Sequence, residues 1–423
     1  MRTWSVLFLV LAGACEENEN EIEVQHCVEE PAESFSSPFF YELDWQHVDE
    51  KYGIAMQPAV GQLTDDNGDG YINDEDNPDL LFTTIYGNNL VALHGDGSGV
   101  IFEKPGYWGR SSVAIGDVDG DDEPEIVVAT EGYEVALLDT AGNEEWVQFI
   151  GFFLDSNITL ADLDADGIDE ILFDGIALDG HTGEPLFAIP PHGMRSPVVA
   201  DLNQDGDPEV ILGSGVYSST GELQWTAQVE SSYLGVFAEA AELDGDPGLE
   251  TVFVAGTWTH SSVLIHDEEG ALLHSFDAPG ANAGQLAVAD FDGDGVADIA
   301  VAGIGVVTVH HIDGTEIWRA ETVDETGMKG VTAVDLDHDG THELLLADET
   351  SLRIFAGATG TVIHKELGHT STGSSFTRPL VADLDGDFSP EIIVASDNWP
   401  TTGTPALSVY TSPGNTWLSG CEE

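Results

Sequence analysis

Small apolar residues, a polar loop and a β-branched run follow one another eight times along the 423-residue chain. In the sharpest copy QLAVA (285–289) leads into Asp290-Phe-Asp292-Gly-Asp294-Gly-Val-Ala-Asp298, which opens directly into DIAVAG (298–303). A second apolar run, VVTVHHI (306–312), a turn at Asp313-Gly314 and TEIWRA (315–320) complete the unit. Short runs rich in Val and Ile, broken by Asp-Gly, predict strands joined by tight turns. Four such strands, A to D, recurring roughly every 40–50 residues, form the pattern of a propeller blade. No stretch of the mature chain keeps a helical period. The expected fold class is therefore all-β, an eight-bladed β-propeller, with a seven-bladed ring as the alternative.

Residue size assigns the strands. The A strands are built of Ala, Gly and Val (SVAIG, PVVA, AEAA, QLAVA), which suits crowding around a central channel. The D strands carry one large aromatic each, Trp146, Phe187, Trp225, Phe276 and Trp318. These are expected to fill the wedge between blades as core residues rather than as ligand platforms. The last unit has strands A (379–382), B (391–396) and C (406–410) but no D. Segment 39–48, FFYELDWQHV, supplies it, with Trp45 in the place of Trp318. A ring must close, since an open blade leaves an unpaired strand edge.

The polar loops carry oxygen ligands at positions 1, 3, 5 and 9, a set that suits a hard cation, calcium above all. They are Asp117, Asp119, Asp121 and Glu125; Asp162, Asp164, Asp166 and Glu170; and Asp201, Asn203, Asp205 and Glu209. The series continues with Glu242, Asp244, Asp246 and Glu250; Asp290, Asp292, Asp294 and Asp298; Asp335, Asp337, Asp339 and Glu343; and Asp383, Asp385, Asp387 and Glu391. The first loop is longer, with Asp65, Asn67, Asp69, Asn73 and Asp76.

Charge narrows the partners. The chain has 79 Asp and Glu against 10 Lys and Arg, a formal net charge of −69. Eight divalent ions would offset less than a quarter of it, so self-repulsion opposes compaction and the ions are expected to be part of the fold. Nucleic acid and anionic lipid surfaces are excluded as partners, and a monomer is expected. Met1-Arg2, the apolar run WSVLFLVLA and Ala12-Gly13-Ala14-Cys15 read as a signal peptide over 1–14, with Cys15 as a lipidation site. Residues 15–37 are an acidic tether and 38–423 the propeller. Ring closure brings the two ends to one blade, and an oxidising compartment then predicts a Cys27–Cys421 disulfide. Attachment to a membrane is expected only through the lipid, at a bacterial outer membrane or cell surface.

These loops, set between a small-residue strand and a β-branched strand, resemble the FG-GAP/VCBS repeats of integrin α-chain propellers and of exported bacterial proteins. The resemblance covers about residues 58–411 and implies metal ligation at positions 1, 3, 5 and 9, with a backbone carbonyl at position 7. Position 6, usually Gly, is Asp122, Pro247 and Phe388 in three copies, where Gly120, Gly245 and Gly386 stand at position 4. The first loop resembles a twelve-residue EF-type loop more closely.

Catalytic signatures are missing: there is no GxSxG, and His342-Glu343 lacks the second His of HExxH because Leu346 stands there. The C–D turns, such as 178–187, resemble those of quinoprotein propellers, without a residue pattern for a quinone pocket. If the A–B loops and C–D turns share one face, the D–A and B–C loops make the other. Lys51, Lys104, Arg110, Arg195, Lys329 and Arg378 fall there or beside it. So do aromatic candidates expected to be exposed, Tyr107, Trp108, Phe152, Tyr233, Trp258, His260 and Trp399. Aromatics beside cations suit a glycan or an acidic side chain of a partner. Arg110, Arg195 and Arg378 each precede an A strand, as a structural element of the blade does. Trp108, Arg110, Tyr233, Trp258, His260 and Trp399 are the candidate ligand residues. The expected function is non-enzymatic: a calcium-stabilised adhesion module binding a glycan or a protein. The alternatives are a polysaccharide lyase, on the likeness to eight-bladed rhamnogalacturonan lyases, and a purely structural surface protein.

Overall fold

A computed structural model describes residues 41–48, 53–85, 87–151, 157–189, 196–229, 235–257, 259–282, 284–367, 376–397 and 405–412. Its 32 strands form eight antiparallel four-stranded sheets, each in the order A–B–C–D. The sixth sheet runs Leu286–Ala289, Asp298–Gly303, Val306–His310 and Glu316–Glu321, close to the sequence expectation. Eight blades, and not seven, close the ring. Strand Glu42–His47 pairs with Leu407–Thr411 and so becomes the D strand of the blade formed by the C-terminal strands.

Burial grades outward across each sheet as the residue sizes require. Inner strand Ala59–Gly61 is half-buried along its length, facing the axial channel. The B strands, such as Glu125–Ala129 and Glu343–Ala347, are buried throughout except at Glu209 of blade 4, which is why they read as unbroken apolar runs. The outer strands alternate, as in Val362–Leu367, because one face meets the next blade and the other meets solvent. The core is accordingly divided into clusters between neighbouring sheets. One joins Ala287, Ala300 and Val307 of blade 6 to Val331, Leu344 and Phe355 of blade 7, with Trp318 sealing the rim. A bulge recurs in every C–D pairing, for instance between Val309 and His310, and turns the outer strand to follow the rim.

One end of the channel is filled by side chains. Met56, Phe237 and Phe376, from blades 1, 5 and 8, belong to one cluster, and the Phe237 and Phe376 rings lie 6.4 Å apart. Blades 5 and 8 are not neighbours, so these residues meet across the axis. Beside them Arg378 Nη1 lies 3.6 Å from Glu239 Oε1.

Candidate metal centres

The A–B loops share a backbone turn at their start. Position 4 takes a left-handed conformation in each, at Gly68, Gly120, Gly245, Gly293 and Gly386 but also at Ala165, Gln204 and His338, with φ of 56–61° at the last three. The position-1 carboxylate organises the loop from within. Asp290 Oδ1 accepts from Gly293 N–H at 2.7 Å, and its Oδ2 accepts from Gly295 N–H at 2.8 Å. Asp122 and Phe388, where Gly was expected, adopt φ of 71° and 63° and still donate to Asp117 and Asp383, both at 3.0 Å. Their departure from the pattern is therefore absorbed by the backbone. Pro247 has no N–H, so the position-6 bond is missing; Glu242 Oε1 accepts the position-4 N–H of Gly245 (2.5 Å), as Asp290 does from Gly293, and also that of Asp244 (3.0 Å).

Position 9 anchors the loop to the sheet. One carboxylate oxygen of Glu125, Glu170, Glu209, Glu250, Asp298, Glu343 and Glu391 accepts the position-2 N–H, at 2.7–3.1 Å. In the first blade Asp79 makes the corresponding anchor, to the N–H of Leu63, two residues before Asp65, at 3.1 Å, and also accepts from Thr64 Oγ1 at 2.9 Å. Sequence reading missed Asp79, because the longer loop displaces it from the nine-residue spacing. The signal was its place immediately before the apolar run that starts at Leu80, where the other loops carry their position-9 carboxylate. Asp76, twelfth counting from Asp65, is buried and gathers the N–H groups of Asp66, Asn67 and Asn73.

The second oxygen at position 9 faces the loop interior with few protein partners. Burial pushes the carboxyl up to about 8 for Glu125 and Glu343, about 7 for Glu170, Glu250 and Glu391, and about 6 for Asp298. The position-2 N–H pulls each down, and neighbouring loop carboxylates raise them further. Glu250 Oε1 and Asp119 Oδ1 are buried without a hydrogen-bond partner. Oxygens of Asp117, Asp119 and Glu125, of Asp162, Asp164 and Asp166, and of Glu242, Asp244 and Glu250 converge within 4.8 Å. An oxygen-only cage with orphaned buried acceptors fits a hard divalent cation. In blade 6 the set includes a histidine that the sequence reading passed over. His311, from the C–D turn, places Nδ1 2.9 Å from Asp298 Oδ1 and Nε2 3.8 Å from Asp292 Oδ2. That contact puts A–B loops and C–D turns on one face, as expected.

The opposite face differs from expectation at several residues. Tyr107, expected exposed, is buried, because its backbone bridges to Thr130 and its ring joins the cluster between blades 1 and 2. Trp108 is half-buried against the cluster of Val127, Ala129 and Ile158, its backbone N–H held by the Ala129 carbonyl at 2.8 Å. Lys329 is fully buried, and burial lowers its pKa, with Asp397, Glu349, Asp324 and Asp348 pulling it back up. Lys104 instead donates to the Gly142 carbonyl in a C–D turn. Arg378 bonds through its backbone to Gln57 and reaches Glu239, which is a structural role. Arg110 is half-buried and His260 exposed, its N–H bonded to Thr257 Oγ1 at 3.2 Å. Tyr233, Trp258, Trp399, Arg195, Phe152, Lys51, Cys15, Cys27 and Cys421 lie outside the described residues, as do the signal peptide and tether.

Residues 290–346 match the model of the FG-GAP-like repeat. The V. cholerae biofilm matrix protein Bap1 superposes with a TM-score of 0.76 at 19% identity, over 89% of this chain and 92% of that one. A quinohemoprotein alcohol dehydrogenase from Comamonas testosteroni gives 0.55 at 11% identity, over 90% and 78%. BBS1N, solved in complex with ARL6DN, gives 0.50 at 11% identity, over 89% and 98%. What these structures share with the chain is the propeller fold. No curated protein sequence matches it.

Proposed function

We propose that this FG-GAP-like propeller is a calcium-stabilised recognition module, displayed on a bacterial surface by a lipid on Cys15, that binds a glycan or a protein without chemical turnover. The observation that carries the reading is the division of the ring into two faces. One face gathers eight carboxylate loops with converging, partly orphaned oxygens, and calcium is the ion whose coordination they fit. Such a face repels acidic partners and is committed to metal, which leaves the D–A and B–C loops for a ligand. Arg110 and His260 supply polar groups there. The axial channel, where some propellers hold a reactive group, is filled at this end by Met56, Phe237 and Phe376. The fold shared with a biofilm matrix protein supports a role outside the cell in recognition or scaffolding.

The test is a glycan array probed with the full chain in calcium and again in chelator. Binding in calcium that disappears on Arg110→Ala with His260→Ala supports the reading. Binding that survives both substitutions places the ligand elsewhere.

A further inference from the structure

Blade 5 is where the loop pattern is weakest and where a side chain from outside the loop enters it. We propose that Glu268, from the C–D turn, is a metal ligand, so that blade 5 holds a hard cation between its loop and its turn. The inference rests on the calcium reading above and adds a residue that the nine-residue motif does not contain.

Four observations converge on Glu268. Glu250 Oε1 is buried and has no hydrogen-bond partner, while the other oxygen of this fully buried side chain is taken by Leu243 N–H at 2.7 Å. Asp246, Glu250 and Glu268 each place an oxygen within 4.8 Å of the others. The turn backbone that aims Glu268 is fixed on both sides: Asp267 Oδ1 accepts the N–H of Glu269 (3.1 Å) and Ala271 (2.7 Å), and Trp225 Nε1 donates to the Glu268 carbonyl at 3.3 Å. Lastly, position 7 of this loop is Gly248, where the other loops have Tyr71, Glu123, Ile168, Asp207, Val296, Thr341 and Ser389. Gly248 is not left-handed, so its backbone does not require glycine. What it provides is room, since a Cβ there would fall 2.7 Å from Glu268 Oε2.

The turn position is equally singular. Counting from the residue whose N–H closes each C–D turn, the counterparts of Glu268 are Gly95, Thr140, Gly180, Ser219, Ile312 and Gly357. None is acidic. Blade 5 has lost the position-6 N–H to Pro247 and has a longer Glu242 at position 1. A fifth carboxylate compensates by adding charge, and a site with more charge binds hard cations more tightly and favours trivalent over divalent ones.

Two probes read the site separately from the other seven. Calcium is counted on the full chain by native mass spectrometry, and terbium is titrated with tryptophan excitation, because Trp225 lies against the turn. We expect Glu268→Gln and Gly248→Ala each to weaken one site by roughly tenfold or more and to leave the rest unchanged. Trp225→Phe should remove the matching part of the terbium emission without altering the calcium count. Unchanged stoichiometry and affinity in both Glu268→Gln and Gly248→Ala, in a chain that still binds calcium, overturns the role of Glu268 alone. A wild-type chain that binds no calcium overturns the reading beneath it as well.

Discussion

The Trp45 ring lies over Gly97, so closely that a Cβ on Gly97 would come within 2.6 Å of it. Trp45 belongs to the strand that completes blade 8, and Gly97 to the C–D turn of blade 1. Trp146 on Gly183, Phe187 on Gly221, Trp225 on Gly270, Phe276 on Gly314 and Trp318 on Gly360 repeat the contact around the ring. The turn needs a left-handed residue, and the absent side chain leaves a flat seat for the preceding blade's aromatic. Trp45 therefore joins the two ends of the chain with the joint used at five other junctions, whereas between blades 1 and 2 the ends of Lys104 and Phe102 cover Gly142.

Replacing Trp45 with Ala should destabilise the ring by about 3 kcal/mol, the lower end for an aromatic truncation, since Trp45 is half-buried. Denaturant unfolding measures it. A chain beginning at residue 53 should fare worse, because the edge of Leu407–Thr411 loses its partner. A soluble truncation with unchanged stability refutes strand closure.

Removing calcium should lower the melting temperature. Sites held at 10–100 times their dissociation constant each contribute roughly 1.4–2.7 kcal/mol by linkage. A melting point that moves by less than a degree in chelator means that the carboxylate loops fold without an ion.

Asp79→Ala should cost about 1–3 kcal/mol, since it strips the buried Leu63 N–H of its acceptor. Asp65→Ala, at an exposed loop carboxylate, should instead act mainly through metal affinity. Comparing the two in chelator separates an anchor from a ligand: only Asp79→Ala should retain its full cost there.

Glu239 gives a pH signature. Burial holds its carboxyl above the ordinary carboxylate range, although Arg378 pulls it down. A folded-state pKa above the unfolded one contributes stability that is complete below about pH 4 and is lost as pH rises through the folded value. Glu239→Gln cannot ionise, so its melting temperature should fall less than that of the wild type as the pH rises from about 4 through the folded value. Parallel curves would mean that Glu239 titrates as an exposed acid.

Trp108 lies against the cluster of Val127 and Ile158, so Trp108→Ala should destabilise by about 2 kcal/mol whether or not a ligand is bound. A substitution that abolishes binding at unchanged stability would return Trp108 to the ligand surface.

The sequence by itself determined the four-strand unit, the strand order and the carboxylate spacing of the loops, because each is written in short-range pattern, while the closed ring decided for eight blades over seven. Strand C of blade 6 begins at Val306 as read but ends at His310, two residues before the expected Ile312, and Trp45 occupies the closing position that its likeness to Trp318 assigned. Tertiary structure decided what depends on residues distant in the chain. Asp79 reaches its anchoring place past an insertion that hides its spacing. Glu268 and His311 enter loops belonging to other segments of their blades. Lys329 and Tyr107 stand in connecting segments, which composition places at the surface, yet the closing ring packs neighbouring blades over them. A local pattern records which side a strand shows to its own sheet. It does not record what the next blade brings against that side.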